Sequence, residues 1–149
     1  MTTISIIGSH GIYANYGGFD QLVNNLVERA SKRYKYIVFN SIETPVLKNK
    51  IPKNCKVIRL PLSASGYQGM IYDFLSILIA VFYSKKLLLL GAQGSPLAVL
   101  LKFLSFGFLK VYVNVGGVEW ERKHLSFLPK LYLKLCFHLS CYAADKIIL

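Results

Sequence analysis

Residues 4–7, Ile-Ser-Ile-Ile, form a short apolar run. It empties into Gly8-Ser9-His10-Gly11-Ile12-Tyr13-Ala14-Asn15-Tyr16-Gly17-Gly18-Phe19-Asp20. Beyond that loop Phe19, Leu22, Val23, Leu26, Val27 and Ala30 recur at helical spacing and define one apolar face. A buried strand therefore leads through a glycine-rich loop into a helix. The first turn of such a helix carries N–H groups with no intrahelical partner and the positive end of the helix dipole, so it suits an anion. Gly17 and Gly18 have no Cβ, which lets a phosphate approach their backbone closely. A plain chain reversal is the competing reading, because many α/β proteins turn on glycine after their first strand. Two nucleotide motifs are excluded. Only two residues separate Gly8 from Gly11, so G-x-G-x-x-G fails, and the P-loop pattern G-x-x-x-x-G-K-[ST] does not occur.

The alternation continues along the chain. Apolar runs predict strands at 36–39, 57–60, 87–90, 109–115 and 146–149. Helices are expected at 70–83, from Pro96 to about residue 106 with Ser95 as N-cap, and at 129–143. Residues 41–56 are polar, hold Pro45 and Pro52, and read as a loop. Continuously apolar strands alternating with helices predict an α/β fold with a doubly wound parallel sheet covered on both faces. Ligands of such sheets bind outside the carboxyl ends of the strands. Glycine turns at 8–18, 91–95 and 116–117 fall at such ends, so they are expected to converge on one edge.

The 149 residues suffice for one domain with a core, and 54% are hydrophobic, which excludes a disordered chain. The apolar run 74–83 is too short to cross a bilayer and suits a buried helix. The opening Met1-Thr2-Thr3 lacks the basic start and long apolar core of a secretory leader, so a cytoplasmic location is expected. Cys55, Cys136 and Cys141 lack metal-ligand spacing and read as free thiols; with the histidines scattered, no metal site is expected. The net charge of +11 points to an anionic partner, whether nucleic acid, membrane surface or substrate, or to a solvated basic surface. No nucleic-acid motif accompanies it. Lys130, Lys134 and His138 share a helix face, with Arg122 and Lys123 just upstream. That face can meet anionic lipid headgroups or simply face water.

The segment 11–20, G-I-Y-A-N-Y-G-G-F-D, resembles the G-I-P-A-x-Y-G-G-F-E signature of bacterial rhamnosyltransferase-like enzymes in glycosyltransferase family 4, which help build capsule and O-antigen polysaccharides. A second segment, 114–122, N-V-G-G-V-E-W-E-R, is similar to that family's N-x-D-G-x-E-W-x-R. Tyr13 stands where the family has proline, Asp20 where it has glutamate, and Gly116 where it usually has aspartate. His124-Leu125 stands in place of the family's lysine-tryptophan pair.

The resemblance implies that residues 1–149 are a single Rossmann-like domain, the N-terminal half of a GT-B fold, without the C-terminal domain that binds most of the donor. It implies a retaining transfer of a sugar such as rhamnose from a nucleotide-sugar to a lipid-linked glycan. It also implies that no cofactor or metal is needed, while the +11 charge and the absence of an apolar run of spanning length give the expectation of a peripheral location at the inner face of the plasma membrane. The diphosphate would lie near Gly17 and Gly18. His10, Asp20 and Trp120 would join them in binding substrate. Glu119 is the catalytic candidate, its carboxylate accepting sugar hydroxyls; a surface carboxylate beside a packed indole is the alternative. Two roles stay open for Arg122, pairing with a phosphate or holding Glu119. The rival function is a non-catalytic subunit that binds acceptor and membrane and recruits a separate donor-binding chain.

Overall fold

The computed structural model describes residues 1–29, 33–117, 119–121 and 125–148, with only the backbone described at Lys48 and Glu119. Six strands alternate with four helices: β1 (Thr2–Ile7), α1 (Gly18–Arg29), β2 (Tyr34–Asn40), β3 (Cys55–Arg59), α2 (Gly66–Tyr83), β4 (Lys86–Leu90), α3 (Ser95–Leu104), β5 (Lys110–Asn114), α4 (Phe127–Ala143) and β6 (Lys146–Ile148). Short 3₁₀ turns occupy Lys48–Lys50 and Glu119–Glu121. All six strands are parallel, in the order β3-β2-β1-β4-β5-β6. The fold is the expected doubly wound, Rossmann-like α/β sheet.

Strand alternation splits the core into two layers. On one face Ile7, Ile37, Phe39, Leu87, Leu89, Val111 and Val113 pack with Tyr72, Ile77 and Ala80 of α2 and Ala98 of α3. On the other, Ile6, Val38, Leu88 and Leu90 pack with Val23 and Val27 of α1. Leu87–Leu90 are buried throughout because β4 lies centrally with both faces covered. The chain crosses from the sheet's left half to its right between β3 and β4, so β1 and β4 are neighbours whose connections run in opposite directions. Their carboxyl ends leave a crevice between them.

Three helix starts differ from the sequence reading. Helix α2 starts at Gly66, not residue 70. Gly69 there packs so closely that a Cβ would lie 2.7 Å from the Ala64 carbonyl oxygen, so this glycine, which read as loop, serves a close contact within the helix. At 18 residues α2 is long and apolar enough to cross a membrane by length and composition, though Gly69, Tyr72, Asp73, Ser76, Ile77 and Ala80 form a buried stripe that seats it on the sheet. The N-cap of α3 is Gly94, not Ser95. The Ser95 hydroxyl instead donates to the Cys136 carbonyl at 2.6 Å, joining α3 to α4. Helix α4 starts at Phe127, two residues before the expected Pro129. Cys136 is fully buried on α4's inner face.

Candidate functional site

The three glycine turns meet. Gly8 after β1, Gly91 after β4, and Asn114, Gly116 and Gly117 at the end of β5 line one open cavity of about 910 Å³. His10, Tyr16, Gly17, Gly18, Phe19 and Asp20 form a further wall, and Ala64, Ser65, Gly66, Asp73 and Gln93 complete it. The cavity lies at the switch between β1 and β4, where the topology leaves a crevice.

The chain must turn sharply to build it. Gly8 has φ 94, and a Cβ there would collide with the Leu90 carbonyl, so β1 and β4 approach at a point only glycine allows. Tyr72, fully buried, donates its hydroxyl to the carbonyls of Phe39 (2.7 Å) and Ser9 (3.1 Å), fixing the ends of β2 and β1. Burial raises the affinity of that phenol for its proton, so it stays a donor. On the far side Tyr132 of α4 donates to the Gln93 carbonyl at 3.0 Å, which anchors the second glycine turn.

Asp20 organises the first turn. It is buried at 1% exposure, yet it lies among the residues around the cavity. Its Oδ1 accepts the His10 N–H at 2.9 Å and its Oδ2 accepts the Tyr16 N–H at 3.0 Å. Burial opposes its charge, but hydrogen bonds from the His10 side chain and from both N–H groups outweigh that, holding the carboxyl below its ordinary value. His10 Nδ1 lies 3.5 Å from Oδ2, and Nε2 lies 3.1 Å from Ser65 Oγ. The carboxylate favours the tautomer protonated at Nδ1, which leaves Nε2 as an acceptor on the cavity side. Tyr16 stacks on the imidazole with ring centres 4.2 Å apart.

Gly17 and Gly18 stand open: a Cβ on either would meet nothing within 4 Å. The first intrahelical bond of α1 runs from Gln21 N–H to Gly17 O, so the N–H groups before it are free to meet a ligand. Gly116, with φ 54, lies against Phe19, whose ring fills the space a Cβ would need. Tyr13 has φ 64 and donates its N–H to Asn24 Oδ1 at 2.7 Å.

His10, Gly17, Gly18 and Asp20 are thus brought together. Trp120 is not among the residues around the cavity; its ring packs edge-on against Phe137 of α4, with centres 4.9 Å apart. Arg122 and the Glu119 side chain fall outside the described residues, and the Glu119 backbone opens the 3₁₀ turn two positions beyond Gly117. Sequence reasoning missed Ser65 and Asp73, and it reached Gln93 only as part of the glycine turn 91–95. Asp73 did carry a signal, as the lone acidic residue of α2. Among the described residues no three of His, Cys, Asp and Glu come together as a metal site.

A family model described as a domain of unknown function, DUF1972, matches residues 1–149. The chain belongs to this family. DUF1972 is found in glycosyltransferase-associated proteins. No curated protein matches the sequence.

Proposed function

We propose that this DUF1972 domain is the acceptor-side half of a sugar transferase that takes its donor as a nucleotide-sugar and its acceptor as a lipid-linked glycan of the cell surface. The observation that carries the reading is the convergence of both signature segments, 11–20 and 114–117, on one cavity at the sheet's switch point. The family's glycosyltransferase context agrees with it.

In this reading the donor diphosphate rests against Gly17 and Gly18, where backbone donors stabilise charge developing on the leaving group. The acceptor sugar occupies the opposite side, near Ser65, Asp73 and Gln93. Asp73 is 8% exposed at the cavity and is the carboxylate suited to sugar hydroxyls there. His10 Nε2 accepts a hydrogen bond from an acceptor hydroxyl that takes the place of Ser65 Oγ. The resemblance assigns Glu119 and Arg122 to the same substrate, and Trp120 packs against Phe137 of α4. A second, donor-binding domain supplies the remaining nucleotide contacts.

One observation favours the non-catalytic rival. Gly116 offers no carboxylate where related enzymes carry aspartate, and Phe19 fills the space. Amide chemical shifts followed during titration with a nucleoside diphosphate, and separately with an oligosaccharide acceptor, test the assignment. Shifts of Gly17, Gly18 and Gly91 with diphosphate are expected. Saturating acceptor without a shift around Ser65 and Gln93 would remove the acceptor role.

A further inference from the structure

Helices α2, α3 and α4 end at the edge of the sheet from which the strands start, opposite the cavity. That corner is aromatic. Phe82, Phe103, Phe106, Phe108 and Tyr142 are 87%, 80%, 91%, 72% and 83% exposed. Soluble surfaces rarely gather large apolar side chains this way without a partner. The turn after α3 displays two of them at a conformational cost. Phe106 sits at φ 50, a region bulky residues avoid, although Gly107 follows it. The turn is closed by Phe106 N–H to Phe103 O at 3.0 Å and Phe108 N–H to Ser105 O at 3.0 Å. Backbone strain is thus retained at a side chain that touches mostly water.

The corner is also basic. Lys85, Lys86, Lys110 and Lys146 stand at the starts of β4, β5 and β6. Lys85 Nζ lies 6.0 Å from the centre of the Phe108 ring, which makes the lysines and phenylalanines one surface. The adjacent carboxylate, Asp145, is already held by Lys102 at 2.8 Å and Lys110 at 3.2 Å. Helices α2, α3 and α4 carry no exposed acidic residue, since Asp73 is buried. A shallow groove of about 350 Å³ between the end of α2 and the start of β1, walled by Phe82, Lys85 and Lys86, runs into the same patch.

We propose that this corner docks on an anionic membrane surface. The phenylalanines of the α3–β5 turn enter the headgroup–acyl boundary and the surrounding lysines meet headgroup phosphates. Protein interfaces deplete lysine, whereas aromatic side chains ringed by lysine suit a lipid interface. Lys130, Lys134 and His138 of α4 all precede the end of the helix that forms this corner. Because the corner is opposite the cavity, docking turns the cavity away from the bilayer, so a lipid-linked glycan meets it through the sugars distal to its lipid. Failure of this proposal therefore leaves the sugar-transfer reading untouched, and the reverse also holds.

Co-sedimentation of the chain with vesicles of phosphatidylcholine alone, and with added phosphatidylglycerol, tests it. Binding is expected only with the anionic lipid and should weaken as salt rises. Phe106→Gly with Phe108→Ser should lower partitioning at least about tenfold. The first of these relieves the positive φ, so the variant should fold, and circular dichroism checks that it does. Lys85→Gln with Lys86→Gln should weaken binding and flatten its salt dependence. Unchanged binding in both variants, or equal binding to neutral vesicles, overturns the proposal. So does concentration-dependent self-association in sedimentation velocity that the phenylalanine variant abolishes without affecting lipid binding, since the patch would then serve a second copy.

Discussion

Asp20 holds His10 at two points, by the backbone N–H at 2.9 Å from Oδ1 and by the imidazole Nδ1 at 3.5 Å from Oδ2. One buried carboxylate thereby sets both the path of the loop after β1 and the orientation of the ring that faces the cavity. Two backbone donors, on His10 and Tyr16, depend on it.

Replacing Asp20 by asparagine keeps one oxygen and loses the charge, so one N–H is left without its acceptor. The expected cost is about 1–3 kcal/mol. The folded-state carboxyl is depressed below its ordinary value of 3.8, so its contribution is fully present above that value and is lost as pH falls through the folded pKa. Urea melts of wild type and Asp20→Asn should therefore differ most near neutral pH and converge in acid. A constant gap down to the most acid pH at which the protein stays folded would mean the charge is not what stabilises the loop.

Tyr13 occupies the position where the resembling enzymes carry proline. Its φ of 64 lies outside the range a proline ring permits, and its N–H is used by Asn24. Tyr13→Pro should cost about 3 kcal/mol or more, although it restores the signature. Tyr13→Gly should keep the backbone and lose the hydroxyl bond to the Lys50 carbonyl at 2.6 Å. Thermal melts of the pair check this: a proline variant as stable as wild type would contradict the left-handed conformation.

The strands were legible because a run such as Leu87–Leu90, buried on both faces, needs no periodicity to be recognised. Helix starts were less so. Gly69 read as loop, yet it sits in the first turn of α2 where only glycine fits against the Ala64 carbonyl, and Ser95 reads as a cap until α4 offers the Cys136 carbonyl. The same limit applies to the cavity. Its glycine turns follow from strand ends, which are local features. Gln93 comes with one of those turns, whereas Ser65 reaches the cavity only through tertiary placement. Asp73 could have been found, since an acid in an otherwise uncharged helix must be buried or used. Phe106 and Phe108 were legible as residues but not as a surface, because Lys85, which lies over the Phe108 ring, comes from the connection between α2 and β4.

Gly116 and Phe19 are coupled in the same way. An aspartate at 116 tolerates a positive φ better than most residues, yet its Cβ would collide with the Phe19 ring. Gly116→Asp alone should cost about 1–3 kcal/mol as the ring is displaced. Phe19→Ala should cost stability on its own through lost packing with the core that includes Val23 and Val27. Combining them should cost less than the sum, with a coupling of at least about 0.5 kcal/mol. Additive costs in a double-mutant cycle would show that Phe19 does not set the limit at this position.

Gly18 and Asp73 line the same cavity, and the proposed function gives them to donor and acceptor respectively. A Cβ at Gly18 meets nothing within 4 Å, so Gly18→Val should leave the fold nearly intact. Its branched side chain would stand where a diphosphate must approach the first turn of α1. In an assembled enzyme containing the donor domain, transfer should fall about a hundredfold, equivalent to roughly 3 kcal/mol of barrier. Asp73→Asn keeps the volume at the acceptor side and removes the charge there. It should raise the KM for the acceptor while leaving donor affinity near wild type, and Glu119→Gln should act in the same direction from the β5 side. A plain structural role for Gly18 gives a different pattern, with lost activity tracking a lowered melting temperature. Donor titrations and melts on the same samples decide between them. A folded Gly18→Val protein with unaltered donor affinity would take the diphosphate away from this loop.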